Sequence, residues 1–214
     1  MEFITSMTMV ARIIGSAPFV YEGDFTEGIR KGKELGFDGV ELHIANPADV
    51  DVQALQQTFA ETGTKLTAIG TGRAYVNEGL SLTDSDEEKR QAAVKRLEEF
   101  LTMAGKFRAA VIIGCMRGNV SSPEELPQAL ERLKESMRHL DSLAGRLGVT
   151  IVFEPINRYE NNFLCNIEET AGFIDENGLK NTGLLIDTFH MNIEEADICG
   201  SIRQNAAKLR YVHI

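Results

Sequence analysis

No stretch of this 214-residue sequence approaches about 18 consecutive apolar residues, so no membrane span is indicated. The opening MEFITSMTMVARIIGSAPF has no basic n-region, which argues against a secretory leader. Cysteine is sparse: Cys115, Cys165 and Cys199 form no CxxC pair and no zinc-ligand spacing, so they read as core or surface thiols of a reducing compartment. The expectation is a soluble, cytoplasmic protein. Basic residues are few, 22 against 32 acidic ones, and the net charge of −10 disfavours a nucleic-acid partner, which needs a basic face. No composition shift, linker or low-complexity tract divides the chain, so residues 1–214 read as one domain.

What is present is alternation. Seven short apolar runs read as strands: 11–15, 39–44, 65–70, 109–114, 150–154, 183–187 and 209–214. Helical patterns lie between them. Ser85 with Glu88 and Ser122 with Glu125 have capping-box spacing, Pro123 suits a first helical position, and Asn166 with Glu169 repeats the cap. Leu126, Leu130, Leu133, Met137, Leu140, Leu143 and Leu147 form a core-facing stripe that Gly148 terminates, and Gly36 and Gly178 read as stops for two other helices.

Alternating β and α elements imply a parallel sheet, because a parallel pair needs a crossover connection. A doubly wound nucleotide-binding sheet should carry a glycine-rich turn after its first strand, and GSAPFVYEGDF contains neither GxGxxG nor a P-loop. A barrel instead gathers polar residues at the carboxyl ends of its strands. Here Glu154 ends the fifth strand, Asp187 the sixth, and His213 lies near the end of the seventh. The fold class expected is therefore a TIM (β/α)8-type barrel, with seven strands in this chain. Two carboxylates and an imidazole converging on one axis suit a divalent cation such as Mn²⁺, Mg²⁺ or Co²⁺. Spacing alone does not separate that reading from salt-bridged or solvated strand ends.

IVFEPINRYENNF (151–163), LLIDTFHMNIEE (184–195) and YVHI (211–214) resemble the xylose-isomerase-like sugar isomerases and epimerases of the TIM-barrel class. The segments 68–97 and 109–118 resemble its 5-keto-L-gluconate epimerase branch, related to ketose 3-epimerases. The resemblance implies Glu154, Asp187 and His213 as metal ligands, Glu154 also as the catalytic acid/base, and Glu160 and His190 as holders of substrate hydroxyls. It implies a metal-dependent epimerase or isomerase, with Mn²⁺ the first choice, acting on a keto-sugar or keto-sugar acid through an enediolate. Read as residues alone, Glu160 could equally pair with Arg158, and His190 could be a hydrogen-bonded core residue. His43 could face the barrel mouth, His139 is expected to be exposed, and Arg117 offers a partner for a sugar carboxylate.

Against that family pattern the sequence ends one residue after His213, so an eighth strand with a fourth glutamate ligand, and a substrate-binding arginine after the seventh strand, are not found in it. The expectation is an incomplete barrel in which Glu154 alone of a two-base pair is present, giving proton exchange without inversion, or a homo-oligomer in which another chain covers the gap. Two other readings compete. One is a non-catalytic carbohydrate-binding or inactive barrel; the other is an endonuclease-IV-type repair enzyme, which four histidines and the negative charge disfavour.

Overall fold

The computed structural model describes residues 4–13 and 19–214. Among these residues, eight strands form one parallel sheet: β1 (Ser6–Val10), β2 (Tyr21–Glu22), β3 (Gly39–His43), β4 (Lys65–Gly70), β5 (Ala110–Ile113), β6 (Ile151–Phe153), β7 (Thr182–Asp187) and β8 (Leu209–His213). Their spatial order is β2-β1-β3-β4-β5-β6-β7-β8. The helices are α1 (Phe25–Glu34), α2 (Val52–Thr62), α3 (Gly72–Glu78), α4 (Glu87–Gly105), α5 (Leu126–Leu147), α6 (Ile167–Glu176), α7 (Thr188–Glu194) and α8 (Ile198–Asn205). Among the described residues, no helix is long and apolar enough to cross a membrane.

Two strand expectations are corrected. The first strand is Ser6–Val10, not 11–15; Ala11 and Arg12 form a bend, and residues 14 and 15 lie outside the described residues. In β1 the apolar Met7 and Met9 alternate with Ser6 and Thr8, a weaker signal than the continuous run that follows it. The count is eight rather than seven because the two-residue β2 pairs with β1, matching Met9 with Tyr21 and Val10 with Glu22. Two residues are too few to show a period.

Helix ends follow side-chain chemistry. Asp86, not Ser85, caps α4 by accepting from the Glu88 N–H. Ser122 makes no side-chain cap; Pro123–Glu125 form a 3₁₀ turn that leads into α5. Asn166 does cap α6, accepting from the Glu169 N–H at 2.9 Å, and Gly148 closes α5 at φ 66°. Gly36 and Gly178 follow the last turns of α1 and α6 with positive φ, as their stop role requires. Leu133, Met137, Leu140 and Ala144 of α5 are fully buried, so its stripe, including the methionine, is core.

The sheet curls strongly. β3 and β8 stand five positions apart in strand order, which at about 4.8 Å per strand would separate them by roughly 24 Å in a flat sheet. Yet Glu41 of β3 lies 3.1 Å from His213 of β8, and the hydroxyls of Thr67 on β4 and Tyr211 on β8 are 2.8 Å apart. The concave face holds a small apolar cluster of Ala68, Ile112, Val152 and Leu185, separate from the main core that lies under the helices. Side chains alternate with period two, so the next residues on that face are Gly70, Gly114, Glu154 and Asp187, with His213 following Tyr211 on β8. That layer is the mouth of the barrel.

Candidate functional site

Each polar side chain of this layer is placed by a local device. Asp187 caps α7: its Oδ1 accepts from the N–H groups of Phe189 (2.7 Å) and His190 (3.2 Å). Its Oδ2 remains turned to His213, 3.6 Å from Nδ1. Burial pushes the Asp187 carboxyl up, but the His213 ring and the two backbone donors outweigh it and hold the group below the ordinary carboxylate range. Glu154 follows directly after β6, its N–H bonded to the Ile113 carbonyl at 3.0 Å and its Oε1 3.4 Å from His213 Nδ1. Gly114 makes room for it, since a Cβ there would stand 2.8 Å from Glu154 Oε2.

The two histidines approach the acids from different elements. Ligand-capable atoms of Glu154, Asp187 and His190 all lie within 4.8 Å of one another, and His213 Nδ1 contacts both carboxylates. Two hard carboxylates with imidazole nitrogens beside them fit a divalent cation of the Mn²⁺, Mg²⁺ or Co²⁺ kind. Burial alone would lower the His213 pKa, but Asp187, Glu154 and Glu41 around the ring raise it.

Glu160 does not pair with Arg158. It accepts from Asn157 Nδ2 at 2.9 Å, and the same amide nitrogen lies 2.7 Å from His190 Nδ1. Asn157, 1% exposed, thus ties the two expected substrate-binding residues together. Arg158 turns away to Glu194 at the end of α7, whose carboxylate receives its backbone N–H (2.6 Å) and its guanidinium (2.7 Å). The Asn157 role was open to reading in the motif EPINRYE, where a buried amide between two acids invites the question.

Arg117 is not available to a sugar carboxylate. It is fully buried, donates to the carbonyls of Glu154 (3.0 Å) and Leu164 (2.9 Å) and to Asn161 Oδ1 (3.2 Å), and lies over the rings of Phe153 and Phe163. Burial pushes its pKa down to about 10, which still leaves it charged near neutrality. Its work is to hold the loop that carries Glu154, Asn157 and Glu160. His139 is half-exposed and pairs with Glu98, as expected of a surface histidine.

Like Asn157, Glu41 is a site residue that the sequence does not single out. Glu41, 1% exposed in the middle of β3, faces His43 Nε2 at 2.5 Å and His213 Nε2 at 3.1 Å. Burial would raise its pKa, but the two imidazoles outweigh that and depress it strongly. In GVELH an acid between apolar neighbours looks like the solvent face of an alternating strand; only the curl turns that face inward.

The chain is similar to known proteins. The chain is 33% identical over 212 residues to a ketose 3-epimerase of Arthrobacter globiformis, covering 94% of this chain and 71% of that protein. It is 28% identical over 200 residues to 3-dehydro-D-guloside 4-epimerase of Escherichia coli, covering 88% of this chain and 72% of that protein. The crystal structure of D-allulose 3-epimerase from Methylomonas sp. in complex with D-allulose superposes with a TM-score of 0.82 at 23% identity, over 99% of this chain and 72% of that one, which is a likeness of fold. These named relatives are sugar epimerases, and kinship at this level makes the chain an enzyme of the epimerase and isomerase class. With residues 29–214 matching the pattern described as "Xylose isomerase-like TIM barrel", and with carboxylates and imidazoles gathered at the mouth of a curled parallel sheet, the chain belongs to that family.

Proposed function

We propose that this chain is a divalent-cation-dependent epimerase of a keto-sugar, working through an enediolate, with Glu154, Asp187 and His213 as the cation ligands. The observation that carries the reading is the convergence of Glu154, Asp187 and the two imidazoles at one mouth. A bound divalent cation would supply Lewis-acid stabilisation of the charge that develops on the carbonyl and neighbouring oxygens of the sugar. Mn²⁺ is the first choice, with Mg²⁺ or Co²⁺ suited to the same donors.

The division between His190 and His213 follows from tautomers. Asn157 Oδ1 accepts from the Tyr159 N–H at 2.9 Å, which orients the amide so that Nδ2 donates to His190 Nδ1. Neutral His190 then carries its hydrogen on Nε2, and a nitrogen that carries hydrogen donates to a hydroxyl rather than ligating a metal. Glu160, held by the same amide, accepts from a second hydroxyl. Glu154, aimed into the mouth, removes the proton beside the carbonyl, and inversion follows when a second acid/base returns a proton on the opposite face of the enediolate. The burial of Arg117 weakens the case for a sugar acid, so neutral ketoses stand ahead of 5-keto-gluconate.

Proton NMR in deuterated water, with a panel of ketoses and 5-keto-gluconate and with or without Mn²⁺, tests this. Deuterium entering beside the carbonyl only when Mn²⁺ is present is the expected result. Glu154→Gln should slow that exchange by about 10² to 10⁴-fold with the fold intact. A folded protein that binds Mn²⁺ and ketose yet exchanges nothing would instead be a sugar-binding barrel.

A further inference from the structure

The cation site just proposed leaves Glu41 unassigned, although it is the most deeply buried carboxylate near the mouth at 1% exposure. An ionised carboxylate only accepts hydrogen bonds. Beside the Tyr211 hydroxyl, two ring nitrogens face it: His43 Nε2 at 2.5 Å from Oε1, and His213 Nε2 at 3.2 and 3.1 Å from Oε1 and Oε2. The other nitrogen of His213, Nδ1, faces Glu154 at 3.4 Å and Asp187 at 3.6 Å. When a cation takes the place of the Nδ1 proton, the imidazole is neutral and carries its one hydrogen at Nε2 toward Glu41, which leaves the Nδ1 lone pair for the cation that Glu154 and Asp187 also face.

His43 is itself seated closely. Gly70 lies so near that a Cβ there would come within 2.3 Å of His43 Nδ1, and the Phe19 ring meets the imidazole edge-on at 4.7 Å between centroids. The hydrogen-bonded chain therefore runs from β3 across the concave face to β8: His43 holds Glu41, and Glu41 holds His213.

Resting on the cation site proposed above, we infer that Glu41 is a positioning residue, which fixes the tautomer and the rotation of the His213 ring so that Nδ1 is presented to the cation. Partners of this kind behind a ligating imidazole commonly change metal affinity by about 10- to 100-fold when they are removed. A purely structural role, tying β3 to β8, predicts instead a change in stability with cation affinity preserved.

The test uses the full chain with Glu41→Gln and, in case that variant does not fold, Glu41→Asp, which keeps a carboxylate but shortens its reach. Two quantities are read: Mn²⁺ affinity by calorimetry, and the ¹⁵N shifts of the His213 ring in Mg²⁺-loaded protein. The expected result is a loss of about 10- to 100-fold in Mn²⁺ affinity, with His213 hydrogen-bearing at Nε2 in the parent and changed in the variant. Parent and folded variants that bind Mn²⁺ equally well would overturn the role of Glu41 alone. A parent that binds no Mn²⁺ would overturn the cation site, and this inference with it.

Discussion

At the scale of single residues, the site depends on space as much as on charge. Gly114 illustrates this, because the nearest atoms to an added Cβ are Glu154 Oε2 at 2.8 Å and Ile156 Cδ1 at 3.0 Å, both at the ends of side chains. Gly114→Ala should therefore cost little stability, on the order of 1 kcal/mol, because those atoms can move. The displaced carboxylate should slow proton exchange by about 10²-fold, the usual penalty of misplacing a catalytic group by about 1 Å. Comparing urea midpoints with deuterium uptake checks both halves. Glu154 and Asp187 were legible in the sequence because each ends an apolar strand, where a lone acid demands an explanation. Glu41 was not, because its alternation matches that of an ordinary half-exposed strand.

At the scale of elements, the loop 154–164 is clamped from two sides. From beneath, Arg117 satisfies the buried carbonyls of Glu154 and Leu164 and the amide of Asn161. Arg117→Met should strand those acceptors and lower stability by roughly 1–3 kcal/mol or more, measured by denaturant unfolding. From outside, Glu194 of α7 receives Arg158. The Arg158 hydrogen bonds hold the Glu194 carboxyl below its ordinary value of 4.5 against the opposing effect of burial. A depressed carboxyl pKa contributes stability that is fully present above the unfolded value and is lost as pH falls through the lower folded value. The parent should thus be more stable than Glu194→Gln near pH 7, and the two urea midpoints should converge as the pH drops below that folded value. A constant gap across the titration would contradict the clamp. The alternative in which Glu160 pairs with Arg158 fails at this scale, since proximity in sequence says nothing of which helix end faces the loop.

For the whole molecule, the curl of the sheet converts strand ends into a site. It is fastened across the concave face by Glu41 with His213 and by Thr67 with Tyr211. Tyr211→Phe keeps the ring and removes the hydroxyl, so the loss should be about 1 kcal/mol, the net worth of one such hydrogen bond. A cation held between β6, β7 and β8, as proposed, would add a further tie that the unfolded chain lacks. Mn²⁺ at about 100 times its dissociation constant should stabilise the fold by roughly 2.7 kcal/mol, and a chelator should reverse the gain. An unfolding midpoint indifferent to Mn²⁺ would argue against the cation site.

The sequence by itself determined the alternation of strands and helices, the parallel sheet, the family, and the acids at the ends of β6 and β7. Those are local patterns: period, cap and the anomaly of a charge closing an apolar run. The start of β1, the short β2, the burial of Arg117, the Asn157 bridge and the pairing of Glu41 with His213 were decided by tertiary structure. Each depends on contacts between segments distant in the chain, and for Glu41 on which face of its strand lies inside. In an alternating strand that choice is undefined until the sheet curls and residues far apart in sequence, such as Glu41 and His213, come within hydrogen-bond reach.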